Sequence, residues 1–276
     1  MAGTMLEKCA VFAVVLLFVT ACERKQAPAE GAVRDASVSA AVIVDAAVAA
    51  PADAPIDAST EGSMLAAAAA EEQAQLEKEC AAGKYASCTE LGFIHEELAV
   101  TPDHAKAFAL YDKACKGGHL KGCAQLGYMH KRGRSVPVDK AKAIALFEKA
   151  CNGGDGLGCS NLGVMYGDGD GVPKDEKKMM ALFEKGCTAG LALGCTNFGW
   201  EVAQGTGGVT KDPARAATYY KKACDKDEPH GCKNLATLYF NGTGVAKDPL
   251  QAQPLFAKAC KLGDKSACKW AKPPGP

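Results

Sequence analysis

Residues 143–175 read AIALFEKACNGGDGLGCSNLGVMYGDGDGVPKD, and this stretch decides the fold. Ala143, Leu146, Phe147, Ala150 and Cys151 fall at i, i+3, i+4, i+7 and i+8, the apolar stripe of a single helix face. Gly153-Gly154 breaks that helix at its C-terminus. A second helix follows from Cys159, with Leu162, Gly163 and Met165 three, four and six positions on. The small residue lets neighbouring helices approach closely. The turn GDGDGVPKD closes the stretch, and its Asp175 is suited to cap the next helix.

The same pattern recurs along the chain. Aligned on cysteines, it pairs Cys80/Cys88, Cys115/Cys123, Cys151/Cys159, Cys187/Cys195, Cys224/Cys232 and Cys260/Cys268, each as C-x7-C, with starts 35, 36, 36, 37 and 36 residues apart. A period in this range marks a helical solenoid. Asp212-Pro213 and Asp248-Pro249 add proline at the first helical position. The end units differ. Glu72, Gln75 and Glu79 stand where other units are apolar, as a solvated cap requires, and Trp270 is placed to cover the far end of the core before Pro273-Pro274 cuts the last helix short. Pro254 predicts a bend or a late start in the last first-helix.

The phrases A-x-x-L-[YF]-x-K-A-C, L-G-x-M-Y and G-x-G-V-x-K-D together resemble the Sel-1-like repeat, a relative of the tetratricopeptide repeat. Paired cysteines in every unit narrow the resemblance to the Helicobacter cysteine-rich protein family. It implies an all-α fold, a right-handed α/α superhelical solenoid of about six disulfide-stapled helix pairs with the last truncated. The expected units are 64–104, 105–140, 141–176, 177–213, 214–249 and 250–276.

Upstream, Met1 to Ala21 has an apolar core at Cys9–Thr20 that is too short to span a bilayer. Val19-Thr20-Ala21-Cys22 resembles the bacterial lipobox, so 1–21 is expected to be a lipoprotein signal peptide and Cys22 the lipidated residue. Glu23 after that cysteine suggests outer-membrane rather than inner-membrane retention in a Gram-negative source. Residues 22–63 are rich in Ala, Asp and Pro, lack aromatic side chains and read as a disordered tether. The expected location is the cell envelope, with the chain lipid-anchored at the outer membrane and facing periplasm or surface. The anchor is its only membrane contact.

With Cys9 removed and Cys22 acylated, twelve of the 14 cysteines remain, all within C-x7-C pairs. One cysteine ends a helix and the other opens the next across a short turn, within disulfide reach in an oxidising compartment. Metal is the competing use. Zinc favours closer ligand spacing than x7, so no metal and no cofactor is expected.

Composition excludes some functions. The chain of 276 residues carries 32 basic and 32 acidic side chains, which argues against a nucleic-acid partner. His95, His104, His119, His130 and His230 show no metal-ligand spacing; His95 and His130 share a position with Tyr166 and Tyr239 that suits core packing. Asp168-Gly169-Asp170-Gly171 reads as a turn, since a calcium loop would place a carboxylate at Met179. The cysteine-rich family is described as penicillin-binding and weakly β-lactamase-active, which implies a β-lactam or peptidoglycan-derived ligand. The residues offer only Ser266-Ala267-Cys268-Lys269 as S-x-x-K, without S-D-N or K-T-G.

The functions in contention are therefore a protein- or peptide-binding scaffold, a penicillin-binding protein or β-lactamase, and a purely structural envelope component. For the scaffold, resemblance to tetratricopeptide repeats implies a groove lined by first helices. One row is Phe108, Ile144, Met180 and Ala217; a second is Asp112, Glu148, Glu184 and Lys221. The alternative is that the apolar row packs on its neighbours and the charged row is solvated surface.

Overall fold

The computed structural model describes residues 58–99 and 101–271. They form an all-helical repeat array of stacked helix pairs, with six disulfides bridging the pairs. The expected signal peptide, Cys22 and residues 22–57 of the tether lie outside the described residues. Two compact units are present, one ending at Gly122 and the other beginning at Cys123.

The first unit holds α1 (Ala58–Ala81), α2 (Tyr85–Phe93), a π-helical turn (Ile94–Leu98), α3 (His104–Lys116) and the opening residues of α4 (Leu120–Arg132). Helix α1 takes in the last six residues of the expected tether, which was to end at 63. Ala58–Ser63 are helical, continuing the alanine-rich run behind them, where helix propensity is highest. Leu76 and Cys80 are buried while Gln75 is exposed, the pattern of an end helix. Glu79 accepts hydrogen bonds from Ser87 Oγ at 2.7 Å, Gln75 Nε2 at 3.0 Å and Lys84 Nζ at 3.2 Å. These bonds, Ser87's first, hold its carboxyl down to about 2 and tie α1 to the start of α2. Behind the π turn, Tyr111 Oη donates to the buried Glu96 at 2.9 Å.

The second unit runs from Cys123 in α4 through α5 (Lys140–Asn152), α6 (Gly156–Asp168), α7 (Glu176–Thr188), α8 (Ala192–Gln204), α9 (Pro213–Cys224), α10 (Pro229–Asn241) and α11 (Pro249–Lys261) to a 3-10 turn at Cys268–Trp270. The aspartate caps form as expected: Asp139, Asp175 and Asp212 each accept from the backbone N–H three residues on, at 2.9 Å. Asp248 accepts from Leu250 and Gln251 at 3.0 Å. That cap starts α11 at Pro249, so the late start expected from Pro254 does not occur. Pro254 and the residue whose carbonyl it leaves unbonded, Leu250, are both exposed, where water can take the freed group. No second α-helix follows α11 among the described residues. Trp270 closes that end, stacked on Phe256 at 6.1 Å and tilted against Phe240 at 5.3 Å.

The cysteines pair as C-x7-C. Cα–Cα distances are 4.7, 4.4, 4.4, 4.5 and 4.7 Å for Cys80–Cys88, Cys151–Cys159, Cys187–Cys195, Cys224–Cys232 and Cys260–Cys268. Cys115 and Cys123 are disulfide-bonded as well. Bare backbone stands beside the bridges of 4.4–4.5 Å, where glycine precedes Cys159, Cys195 and Cys232, while Ser87 and Ala267 hold that place beside the two of 4.7 Å. A Cβ on Gly158 would lie 2.5 Å from Ala150 Cβ and 2.9 Å from Cys151 N, and one on Gly194 2.8 Å from Cys187 N. The glycine four residues after the cysteine does a different job. Gly127, Gly163 and Gly199 receive the rings of Phe147, Phe183 and Tyr220 from the next pair, at 2.8, 2.8 and 2.9 Å from where a Cβ would be. In α6 and α8 one glycine thus serves the partner within the pair and the other the pair that follows, whereas α2 has Ser87 at the first position and α10 has Ala236 at the second.

Candidate binding faces

The expected apolar row does not share one environment. Phe108 and Ile144 are half-buried, whereas Met180 is 4% and Ala217 7% exposed. The inter-repeat turns supply the cover. A Cβ on Gly207, at φ +64°, would fall 2.5 Å from Met180 Cγ, and one on Gly171, at φ +81°, 3.3 Å from Ile144 Cδ1. The turn therefore lies along the first helix that precedes it, over the very positions assigned to a groove. The charged row is more accessible. Asp112 pairs with Lys116 at 2.6 Å and Lys221 with Asp225 at 2.8 Å, both within one helix turn. Glu184 meets Arg215 of the next repeat at 3.7 Å, and Glu148 is half-buried.

A second set of polar contacts, which sequence reading missed, links successive hairpins. The residue after the second cysteine of one repeat bonds the residue that caps the second helix of the next. Thr89 Oγ1 lies 2.7 Å from His119 Nδ1 in the first unit. In the second, Thr196 Oγ1 donates to Glu228 at 2.5 Å, and Lys233 reaches Asp264 at 2.7 Å. Burial alone would raise the Asp264 carboxyl; the hydrogen bonds and charges of Lys233, Ser266 and His230 pull it to about 2. One link is broken. Ser160 Oγ is fully buried without a partner, because the corresponding cap position is Leu191, which makes no side-chain cap bond for α8. Leu191→Asp should supply both the cap and the partner and raise stability by about 1 kcal/mol in a denaturant melt. A loss would show that Leu191 packing against Gly156 outweighs them.

Comparison with known families gives a match to the Sel1 repeat at residues 86–119, 120–155, 156–191, 192–228 and 229–264. The chain belongs to the Sel1 repeat family. The matched Sel1 units run from a second helix to the next first helix, so α1 and the terminal 3-10 turn fall outside them. A Sel1 repeat protein from Oxalobacter formigenes superimposes with a TM-score of 0.60 at 24% identity, over 71% of this chain and 86% of that one. A Klebsiella pneumoniae Sel1 repeat protein gives 0.50 at 18% identity, over 72% and 97%. Helicobacter pylori cysteine rich protein B is 34% identical over 46% of this chain and 91% of that chain, with a TM-score of 0.39. The curated proteins contain no match.

Within this Sel1 array the remaining sequence candidates have structural roles. Ser266 donates to Asp264 at 2.5 Å and accepts from Lys233 at 3.2 Å, a hairpin cap, while Lys269 lies over the Trp270 ring. Asp170 pairs with Lys140 at 2.6 Å, and Gly169 ends α6 in the left-handed conformation. His130 is buried; His95 is half-buried, and desolvation lowers its pKa. Among the described residues no group of three His, Cys, Asp or Glu side chains is placed to hold a metal ion.

Proposed function

We propose that this Sel1 repeat chain is a lipid-anchored scaffold of the bacterial envelope that holds a protein or peptide partner. The observation that carries the reading is the acidic pair Glu148 and Glu184, which occupy one half-buried position on the first helices of consecutive repeats. A row of like charge repeated once per repeat suits an extended partner with basic side chains, steering its approach. The disulfides call for an oxidising, extracytoplasmic compartment. A lipid on Cys22 would keep the array at a membrane, at the outer membrane by the reading of Glu23.

Two variants test this. Cys22→Ser should move the protein from the detergent phase to the aqueous phase, or leave its signal uncleaved; unchanged partitioning overturns the anchor. Glu148→Lys with Glu184→Lys should reduce partner capture from envelope extracts about tenfold or more with little change in melting temperature. Unchanged capture removes the first-helix row from the binding surface.

A further inference from the structure

The six disulfides are not equally protected. The cysteines of the first five bridges are at most 8% exposed, whereas Cys260 and Cys268 are both half-buried. Stacking is the cause. Cys80–Cys88 packs with Ala114, Cys187–Cys195 with Ala223 and Cys224–Cys232 with Ala259, in each case an alanine of the first helix that follows. Among the described residues no first helix follows Cys268, so the sixth bridge lacks that cover.

What the sixth bridge holds also differs. Each of the first five joins two α-helices, while Cys260–Cys268 joins α11 to the 3-10 turn Cys268–Trp270. A single 3-10 turn has little stability of its own. The chain before it is fixed by Asp264, which accepts from Ser266 N at 2.9 Å and Ala267 N at 3.3 Å. Beyond Ala267, the turn is fastened by the bridge and by Trp270, which is 45% exposed and leans on Phe256 and Phe240.

The local charge favours attack by a thiolate. Lys261 and Lys269 adjoin the two cysteines in sequence, Lys265 lies between them, and all three are exposed. The acidic group among them, Asp264, is already paired with Lys233 at 2.7 Å. The two sulfurs are not equivalent either. Cys260 stands in the last turn of α11, at the negative end of the helix dipole, where an anion is disfavoured. Cys268 lies outside that helix and is the better leaving group.

We propose that Cys260–Cys268 is a thiol–disulfide exchange site, opened by a dithiol reductant while the other five bridges stay closed. One thiolate of the reductant attacks Cys260 Sγ. The Cys260–Cys268 S–S bond breaks, and Cys268 leaves as a thiolate that takes up a proton. The reductant's second thiolate then attacks the reductant sulfur of the mixed disulfide, releasing Cys260 as a thiolate that takes up another proton. The reductant ends as a disulfide, having given two electrons, and the protein gains two thiols. Without its covalent tie the 3-10 turn lifts, and Trp270 parts from Phe256 and opens the aromatic end of the array.

The test uses the full oxidised chain with Trp200→Phe, which leaves Trp270 as the sole indole. Dithiothreitol is added at about one equivalent per chain, thiols are trapped at intervals with N-ethylmaleimide, and the labelled cysteines are mapped. Cys260 and Cys268 should be labelled about tenfold faster than any other pair, as access controls exchange, and Trp270 emission should change at the same rate. Cys260→Ala with Cys268→Ala, in the same background, should show the reduced protein's emission from the outset and leave the other five bridges unlabelled. Prior labelling of another pair, or opening of all six in one step, overturns the site. Emission of the alanine variant identical to that of the oxidised chain overturns the release of the turn.

Discussion

Replacing Cys151 and Cys159 together by alanine is expected to lower the unfolding free energy by about 3 kcal/mol, and reducing all six bridges to abolish cooperative unfolding. Opening one C-x7-C loop restores about 2–3 kcal/mol of chain entropy to the unfolded state. The sulfurs are also core: Cys151 and Cys159 are 1% and 0% exposed and pack with Phe147, Leu162 and Met165. Alanine loses that packing without burying a new hydroxyl, and a serine pair should cost more for that reason. Urea melts of the native, alanine and serine proteins read the three values. A loss below about 1 kcal/mol would mean that helix packing alone closes the hairpin and the bridge is incidental.

Gly158→Val is expected to be as damaging with every disulfide potential intact. Its Cβ would meet Ala150 Cβ at 2.5 Å, Cys151 N at 2.9 Å and Phe147 O at 3.0 Å. Two of these are backbone atoms of α5, which cannot yield without parting the helices and stretching the bridge beside them. Overpacking against fixed backbone costs about 3 kcal/mol. Gly163→Ala is the control. Its nearest atoms, at 2.8 Å, belong to the Phe183 ring, which can shift, so the loss should be about 1–2 kcal/mol. Denaturant melts should rank Gly158→Val as the worse; the reverse order would mean that spacing between pairs, not within them, limits the array.

These two glycines mark how far the sequence could be read. Gly163 was legible as the small residue of a repeated helix pattern. Gly158 was not, although Gly122, Gly158, Gly194 and Gly231 all precede a second cysteine. That recurrence was the available signal. Its meaning depends on how close two backbones come across a hairpin, which periodicity does not report. The groove rows show the same limit. Met180 and Ile144 lie at one register, but the turn carrying Gly207 buries Met180 more completely than the turn carrying Gly171 buries Ile144.

Residues close in sequence settled the architecture: the helix stripe of Ala143 to Cys151, the Asp139, Asp175, Asp212 and Asp248 caps, and the C-x7-C pairing. Each is a rule acting within about one turn or one hairpin, and the repeat restates it at every period. Contacts a whole repeat apart were decided only in three dimensions. Thr196 finds Glu228, Ser160 goes unpartnered where the next cap position is Leu191, and Asn197 and Asn234 are brought to one cleft with Trp200. The physical reason is that local rules specify each helix pair, whereas the surface between pairs follows from how the pairs stack, a relation among side chains more than thirty residues apart.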